Sequence, residues 1–244
     1  MLKYSRRFLN ACVLSGVAAT VANANTMDTP AMGATMAPAM TNTQPTIRAM
    51  FGATPIQHLE RGKTALLVID FQNEYFTGRM PIPDGEAALA NTRKLIDYAD
   101  SNAIPVYHVQ HVEAAGSPVF AMGGETVKFH PLMQPRSNDV VVQKDTVSVF
   151  ASTDLDDRLK AANIDTLIVT GLMTHACVAA AAREAAPKGY KIVLAADATA
   201  TRAITRYNGA TIDKDSLHSA ALTEIEDTFG DVLDTAEIQK LPVR

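Results

Sequence analysis

The feature that most restricts the fold of this chain is a regular alternation, from residue 64 onward, of short apolar runs with longer segments of helical periodicity. Short, near-continuous apolar runs are typical of strands buried on both faces of a parallel sheet, and the segments between them supply the covering helices. The predicted strands are 64–69, 104–109, 140–142, 166–170 and 191–195. The alternation predicts a three-layer α/β fold with a doubly wound, mostly parallel sheet of about five or six strands.

Several segments between or after these runs have the pattern of helices. In Gly85–Ser101 the apolar residues recur at helical spacing and form one face, made of Ala88, Leu89, Thr92, Leu95, Ile96 and Ala99. Further helices are predicted at 155–162, 176–186 and 213–227, and 231–233 is predicted to be a short edge strand. Ligands bind at the C-terminal ends of the strands in such sheets, so a functional site is expected there.

The first residues have the pattern of an export signal. Basic side chains near the start precede an apolar run at 8–21 that ends in small residues, which is the arrangement of a secretory signal peptide. We predict that residues 1–24 are a signal peptide cleaved after Ala24, so that the mature protein is periplasmic or secreted, without stable membrane insertion. Residues 5–9 resemble a twin-arginine signal. An uncleaved anchor and lipid attachment at Cys12 are the alternatives.

The next segment, 25–50, is rich in Thr, Met, Ala and Pro and has almost no charge. Such a composition cannot bury a core, so the segment is predicted to be a disordered linker. Its methionines alternatively suit a soft metal such as copper(I), although neither histidine nor cysteine accompanies them. The remaining residues, 51–244, are predicted to form one domain.

Net charge and cysteine content exclude some classes of function. The formal net charge is −4 and becomes −7 when the three cations of residues 1–24 are removed. An acidic chain is unsuited to nucleic acid or anionic membranes as partners, and a small-molecule substrate is expected instead. Cys177 is then the remaining cysteine, so no disulfide can form within the mature chain. A lone thiol in an exported protein indicates reactivity, with a small buried apolar residue as the alternative.

Three reactive side chains follow predicted strands at their C-terminal ends. Asp70 ends the first strand, Lys144 follows the third, and Cys177 follows the fourth in a turn that leads into an alanine-rich helix. A helix N-terminus and a nearby lysine both favour the thiolate, and an aspartate can accept the thiol proton. The simpler interpretations are a buried cysteine, a solvated lysine and a capping aspartate. Their position on one sheet edge favours a shared site.

Three ordered motifs carry a resemblance to a known family. They are VIDFQNEYF at 68–76, QK at 143–144 with the VF and TDL that follow it, and GLMTHACV at 171–178. Over residues 60–235 the chain resembles the isochorismatase-like cysteine hydrolases. The resemblance implies that Asp70, Lys144 and Cys177 form a catalytic triad. We predict that no cofactor is required.

The same resemblance implies a geometry and a reaction. A cis peptide is expected between Leu172 and Met173, where the backbone amides of Met173 and Cys177 would form an oxyanion hole. Asp70 would take the proton of Cys177, whose thiolate would attack a carbonyl carbon, release ammonia or an amine, and leave a thioester for water to hydrolyse. Relatives commonly form dimers or tetramers, so a homodimer or homotetramer is expected.

Two departures from the family concern the metal and the pocket. Nicotinamidases of this family bind a metal through an Asp-x-His pair after the second strand, where this chain reads HVQH at 108–111 and lacks the carboxylate. On a strand His108 and His111 point to opposite faces, so no metal site is predicted, and pocket lining or supporting hydrogen bonds are the alternative roles. Residues 116–124 and 129–131 are predicted to cover the site. The candidate pocket residues are Tyr75, His108, Phe150, Thr174 and His175.

These features favour a cysteine-dependent hydrolase of a small amide or related acyl compound. An isochorismatase-type hydrolase of a vinyl ether is one alternative, although that reaction does not need the cysteine. A thiol-based redox or electrophile-scavenging protein is another, and the lack of a second cysteine in the mature chain counts against it. A binding protein without activity is the third, but it would not need all three triad residues.

Overall fold

The computed structural model describes residues 44–244. The predicted signal peptide at 1–24, with Cys12, and most of the predicted linker therefore lie outside the described residues. Of the linker, residues 44–50 are described, and Ile47–Met50 form a one-turn helix, α1, in which Thr46 caps the backbone N–H of Ala49. Arg48 of this turn donates to Asp231 at 2.9 Å, so folded structure begins before residue 51.

A parallel sheet is the centre of the described part of the chain. In chain order the strands are β1 (Thr64–Ile69), β2 (Val106–His111), β3 (Val140–Lys144), β4 (Thr166–Leu172), β5 (Lys191–Ala200), β6 (Ile204–Thr205), β7 (Thr211–Ile212) and β8 (Asp231–Leu233). Six of them form the sheet in the order β3-β2-β1-β4-β5-β8, and every neighbouring pair is parallel. This order reverses direction between β1 and β4, which confirms the predicted doubly wound fold. Strands β6 and β7 form a separate antiparallel hairpin.

Helices cover both faces of the sheet and complete the three layers. They are α2 (Gly85–Ser101), α3 (Leu155–Ala161), α4 (Ala179–Ala185), α5 (Lys214–Thr228) and α6 (Thr235–Ile238). Alternate residues of β1 enter two separate cores because side chains on a strand alternate between faces. Leu66 and Val68 pack with residues of α2 and α6, whereas Leu67 and Ile69 pack with residues of α3, α4 and α5.

The strands that reach the functional edge are longer than the apolar runs that predict them. Strand β2 extends to His111, β3 to Lys144 and β5 to Ala200. Their last residues include polar side chains that are buried all the same, such as His111 and Lys144. A search for apolar runs does not include these residues in a strand, because their side chains are polar although they are buried.

The ends of β1 and β4 approach each other unusually closely. Gly171 of β4 has a φ of +134°, and a Cβ atom placed on it would lie 2.3 Å from the carbonyl oxygen of Ile69. Asp70, the residue after Ile69, has a φ of +54°, in the left-handed region. The missing side chain at Gly171 therefore lets the end of β1 lie directly against the turn that follows β4. Among residues 44–244, no helix combines the length and the apolar character needed to cross a lipid bilayer.

Candidate active site

The structure brings the three predicted reactive side chains together at the C-terminal edge of the sheet. Asp70 directly follows β1, Lys144 is the last residue of β3, and Cys177 lies in a π-helical turn, Thr174–Val178, between β4 and α4. Nζ of Lys144 lies 2.9 Å from Oδ2 of Asp70 and 3.4 Å from Sγ of Cys177. The site is almost closed to solvent, since Asp70 is 0%, Lys144 2% and Cys177 5% exposed.

Burial sets the protonation of the resting site. Burial raises the pKa of the Cys177 thiol to about 12, with the charge of Asp70 adding to the effect and that of Lys144 opposing it. Burial by itself would lower the pKa of Lys144, but its interactions with Asp70, and to a lesser extent with Cys177, outweigh burial and raise that pKa. The resting site therefore holds a neutral Cys177 thiol beside the Lys144 ammonium.

The expectation that a helix N-terminus favours the thiolate is wrong for this resting state. Helix α4 begins at Ala179, two residues after the cysteine, and it has seven residues. Cys177 itself belongs to the preceding π-helical turn and packs in the same buried cluster as Val178 and Ala181. Burial in this apolar surrounding and the charge of Asp70 raise the pKa of the thiol by more than Lys144 lowers it.

The turn before the cysteine has the peptide geometry that the resemblance implies. The peptide bond between Leu172 and Met173 is cis. The carbonyl oxygen of Met173 accepts the N–H groups of Ala176 and Val178 at 3.0 and 3.3 Å. Met173 and Cys177, whose backbone amides are the predicted oxyanion donors, thus lie in one short closed turn.

Two of the candidate pocket residues are aromatic and buried. Tyr75 is 2% exposed and contacts the ring of Phe120 edge-on at 5.3 Å. Burial raises the pKa of Tyr75 well above its ordinary value, and the neighbouring Cys177 and Asp70 add to the shift, so this phenol lies beside the triad. Phe150 packs in the same buried cluster as Cys177, with its ring 6.0 Å from that of Tyr190.

Two further candidates connect the cysteine turn to its neighbours. Thr174 shares a 2.9 Å hydrogen bond with Nδ1 of His218 on α5. His175 shares a 2.6 Å hydrogen bond with the hydroxyl of Thr201, just after β5. His218 and Thr201 also line an adjoining cavity of about 180 Å³. The hydrogen bonds of Thr174 and His175 therefore hold the cysteine turn in place beside this cavity.

The structure does not bring the fifth candidate, His108, to the triad. Its side chain is 1% exposed, and Nε2 lies 3.3 Å from Oδ2 of Asp139. Its ring lines a separate cavity of about 210 Å³ beside α2, together with Arg93 and Arg136. Burial lowers the pKa of His108, although the charge of Asp139 opposes the shift. Both His108 and His111 lie near the C-terminal end of β2. Because side chains on a strand alternate between the two faces of the sheet, only His111 points towards Lys144.

His111 is the histidine that contacts the triad. Nδ1 of His111 lies 2.7 Å from Nζ of Lys144, and Nε2 lies 2.9 Å from Oε1 of Glu113. One ligand atom each of Asp70, His111 and Cys177 lie within 4.8 Å of one another, the spacing of a metal site. However, the ammonium of Lys144 contacts all three of these side chains. The residues present do not fit a metal ion, since its position is taken by a side-chain cation.

Sequence reasoning missed other groups at this edge. Arg202 follows β5, and its Nε atom is buried without a hydrogen-bond partner among residues 44–244. Its positive charge acts on both Tyr75 and His175. Glu113 lies beyond β2 in a segment without helical or strand pattern. A search for polar residues just after each predicted strand would have found Arg202 only if the full length of β5 had been known.

Comparison with known proteins places this architecture in a family. The model of the isochorismatase domain matches residues 64–237. A secreted isochorismatase effector of Verticillium dahliae is 32% identical over 192 residues, which are 78% of this chain and 97% of that protein. A maleamate amidohydrolase of Pseudomonas putida is 28% identical over 189 residues, 70% of this chain and 83% of that protein. The crystal structure of an isochorismatase from Pseudomonas putida superposes with a TM-score of 0.74 at 29% identity, covering 80% of this chain and all of that one. The chain belongs to the isochorismatase family.

Proposed function

We propose that this protein is a cysteine-dependent hydrolase that cleaves a small amide, or a related acyl compound, through a thioester on Cys177. The observation that carries the proposal is the position of the Lys144 ammonium, 2.9 Å from Asp70 and 3.4 Å from Cys177 in a nearly closed site. A base, a cation and a nucleophile at these distances supply the groups that acyl transfer needs. The amidohydrolase name of one relative supports an amide as the substrate.

Because the pKa of Cys177 is raised to about 12, the thiol is protonated near neutral pH, and a base must remove its proton during the reaction. A neutral thiol is a poor nucleophile, so Asp70 accepts its proton as sulfur attacks the carbonyl carbon. The backbone amides of Met173 and Cys177 are the proposed donors to the oxyanion. Collapse of the tetrahedral adduct passes the proton from Asp70 to the departing amine and leaves the thioester. Asp70 then takes a proton from water as the oxygen of that water adds to the thioester carbon. The C–S bond breaks, Asp70 returns the proton to the sulfur, and the acid leaves.

A thiol-based redox function is less well supported by the same site. Redox-sensing cysteines are typically exposed and have a lowered pKa, because the thiolate is the species that reacts with oxidants. Cys177 is 5% exposed, and burial raises its pKa. Hydrolysis, in which a base within the site removes the proton only when substrate is bound, suits this environment better.

The second candidate is the hydrolysis of a vinyl ether, as in isochorismatase. It is favoured by the name of the Verticillium dahliae relative. Such a reaction protonates the substrate and has no need of a nucleophilic sulfur. The two candidates therefore differ in whether Cys177 is essential.

The test compares the purified wild-type protein with the Cys177→Ala variant. Each is incubated with isochorismate and with a panel of primary amides, and hydrolysis is measured. The panel pairs neutral amides, such as nicotinamide, with carboxylate-bearing ones, such as maleamate. The reason is that Arg202, whose Nε has no hydrogen-bond partner among residues 44–244, acts on Tyr75 and His175 at the site. We expect ammonia release by the wild-type protein, its loss in Cys177→Ala at unchanged thermal stability, and an acyl adduct on Cys177 in intact mass spectra. Turnover of an amide by Cys177→Ala would contradict the thioester, and turnover of isochorismate alone would favour the ether hydrolase.

We propose export and self-association as well. The signal-like segment at 1–24 and the secreted relative support a periplasmic or secreted location. N-terminal sequencing of the protein recovered from its producing cells should begin at Asn25. We further propose a homodimer or homotetramer acting on a small molecule, without nucleic acid as a partner, and a monomeric mass in light scattering would contradict the assembly.

A further inference from the structure

Besides Asp70 and Cys177, the cation at the centre of the site has two further neighbours that the triad chemistry does not use. Nζ of Lys144 lies 2.7 Å from Nδ1 of His111, closer than it lies to Asp70 or to Cys177. It also donates to the carbonyl oxygen of Thr146 at 3.2 Å. A lysine ammonium has three protons, so these four acceptors compete for them. The shortest contact, to His111, contributes most to the orientation of the ammonium.

The contacts of His111 assign its tautomer. The ammonium of Lys144 has no lone pair and can only donate, so Nδ1 of His111 must be the acceptor in their 2.7 Å contact. The ring proton is then on Nε2, which donates to Oε1 of Glu113 at 2.9 Å. A second ring proton would face the ammonium directly at Nδ1. The arrangement is therefore self-consistent only with a neutral imidazole directed by a carboxylate.

His111 is itself held from several sides. Its backbone N–H donates to Oε1 of Gln72 at 2.8 Å, and its carbonyl oxygen accepts from Nε2 of Gln72 at 2.7 Å. Gln72 lies two residues after Asp70, so this pair of bonds connects the ends of β1 and β2. The ring of Phe120 packs on the imidazole with centroids 4.9 Å apart. The charged and titratable groups facing the imidazole are Lys144, Asp70, Cys177 and Glu113.

We propose that His111, directed by Glu113, is the positioning residue that keeps the Lys144 ammonium between Asp70 and Cys177. Without this acceptor the ammonium is free to close on Asp70, its opposite charge, and to leave the sulfur. The sulfur would then lose the cation that stabilises its charge as the thiolate forms. The inference rests on the proposed function, but the position of the ammonium can be tested through the reactivity of Cys177 alone, without a substrate.

The experiment measures the rate of Cys177 alkylation by iodoacetamide between pH 7 and pH 10, by peptide mass spectrometry. His111→Asn keeps an acceptor oxygen near the position of Nδ1, and His111→Leu is similar in size but has none. We expect the Leu variant to react about tenfold more slowly at pH 8, with its rate profile moved up by about one pH unit, since one pKa unit is a tenfold change in thiolate. The Asn variant should stay within about twofold of the wild type. His58→Asn, before β1 and away from the site, is the matched control.

Glu113 provides an independent pair of variants if His111→Leu does not fold. Glu113→Gln keeps an oxygen that accepts from Nε2, whereas Glu113→Leu removes it, and only the second should slow alkylation. Equal rates for Asn and Leu at position 111, or a Leu variant as fast as the wild type, would overturn the proposal. Equal rates for Gln and Leu at position 113 would overturn the part assigned to Glu113. A silent amide panel would leave these rates measurable, so failure of the proposed function can be distinguished from failure of this inference.

Discussion

Asp70 and Lys144 are buried opposite charges, and each is tolerated only because the other is present. Both side chains are 0% exposed and lie 2.9 Å apart. Removal of one charge leaves the other in a medium of low dielectric, where an unpaired ion costs several kcal/mol. Removal of both charges leaves a neutral site of similar volume. The pair therefore contributes little net stability but makes each single substitution expensive.

We predict that Lys144→Met lowers the free energy of unfolding by about 3–5 kcal/mol, because Asp70 loses its buried partner. The double variant Asp70→Asn/Lys144→Met should be less destabilised than the sum of the two single variants. Urea denaturation of the three variants beside the wild type measures this coupling. Additive losses would show that the two charges do not depend on each other.

At the scale of elements, the site depends on how closely β1 and β4 approach. Gly171 provides that closeness, since a Cβ atom there would lie 2.3 Å from the carbonyl oxygen of Ile69. Gly209, between β6 and β7, also has a positive φ, +83°, but nothing lies within 4 Å of a Cβ atom placed on it. An alanine at Gly209 would therefore be strained only by the positive φ angle. An alanine at Gly171 would in addition collide with Ile69.

We predict that Gly171→Ala lowers the free energy of unfolding by about 3 kcal/mol or more, from the strained angle and the overlap with Ile69 together. Gly209→Ala should cost only about 1–2 kcal/mol, for the angle alone. Denaturant titration measures both, and the alkylation rate of Cys177 reports whether the site is displaced. Similar losses at the two positions would contradict the importance of the close approach.

At the scale of the whole molecule, three histidines share one electrostatic property. Burial lowers the pKa of His108, His175 and His218 below the ordinary value of 6.5. In the unfolded chain each regains a pKa near that value, so below it the unfolded state binds protons that the folded state does not. Stability therefore rises with pH across this window and falls on acidification.

We predict that the melting temperature falls as the pH is lowered from 7.5 to 5.5, by roughly 2–4 °C for each kcal/mol of stability lost. Carboxyl groups with a lowered pKa, such as Asp139, titrate below this window and do not contribute within it. Scanning calorimetry at constant ionic strength measures the change. A melting temperature that is constant or rises on acidification would show that these histidines take up protons in the folded state.

The pattern of apolar residues determined the fold class, because runs buried on both faces and helices with one apolar face are properties of the chain itself. The order of strand ends also placed Asp70, Lys144 and Cys177 on one edge. The tertiary structure decided which neighbours those residues have. His108 and His111 lie three residues apart on β2, yet one faces Asp139 and the other faces Lys144. The burial that raises the pKa of Cys177, the contact of His111 with the ammonium and the position of Arg202 all arise from segments far apart in sequence. Such contacts depend on packing in three dimensions, which no local pattern of residue types contains.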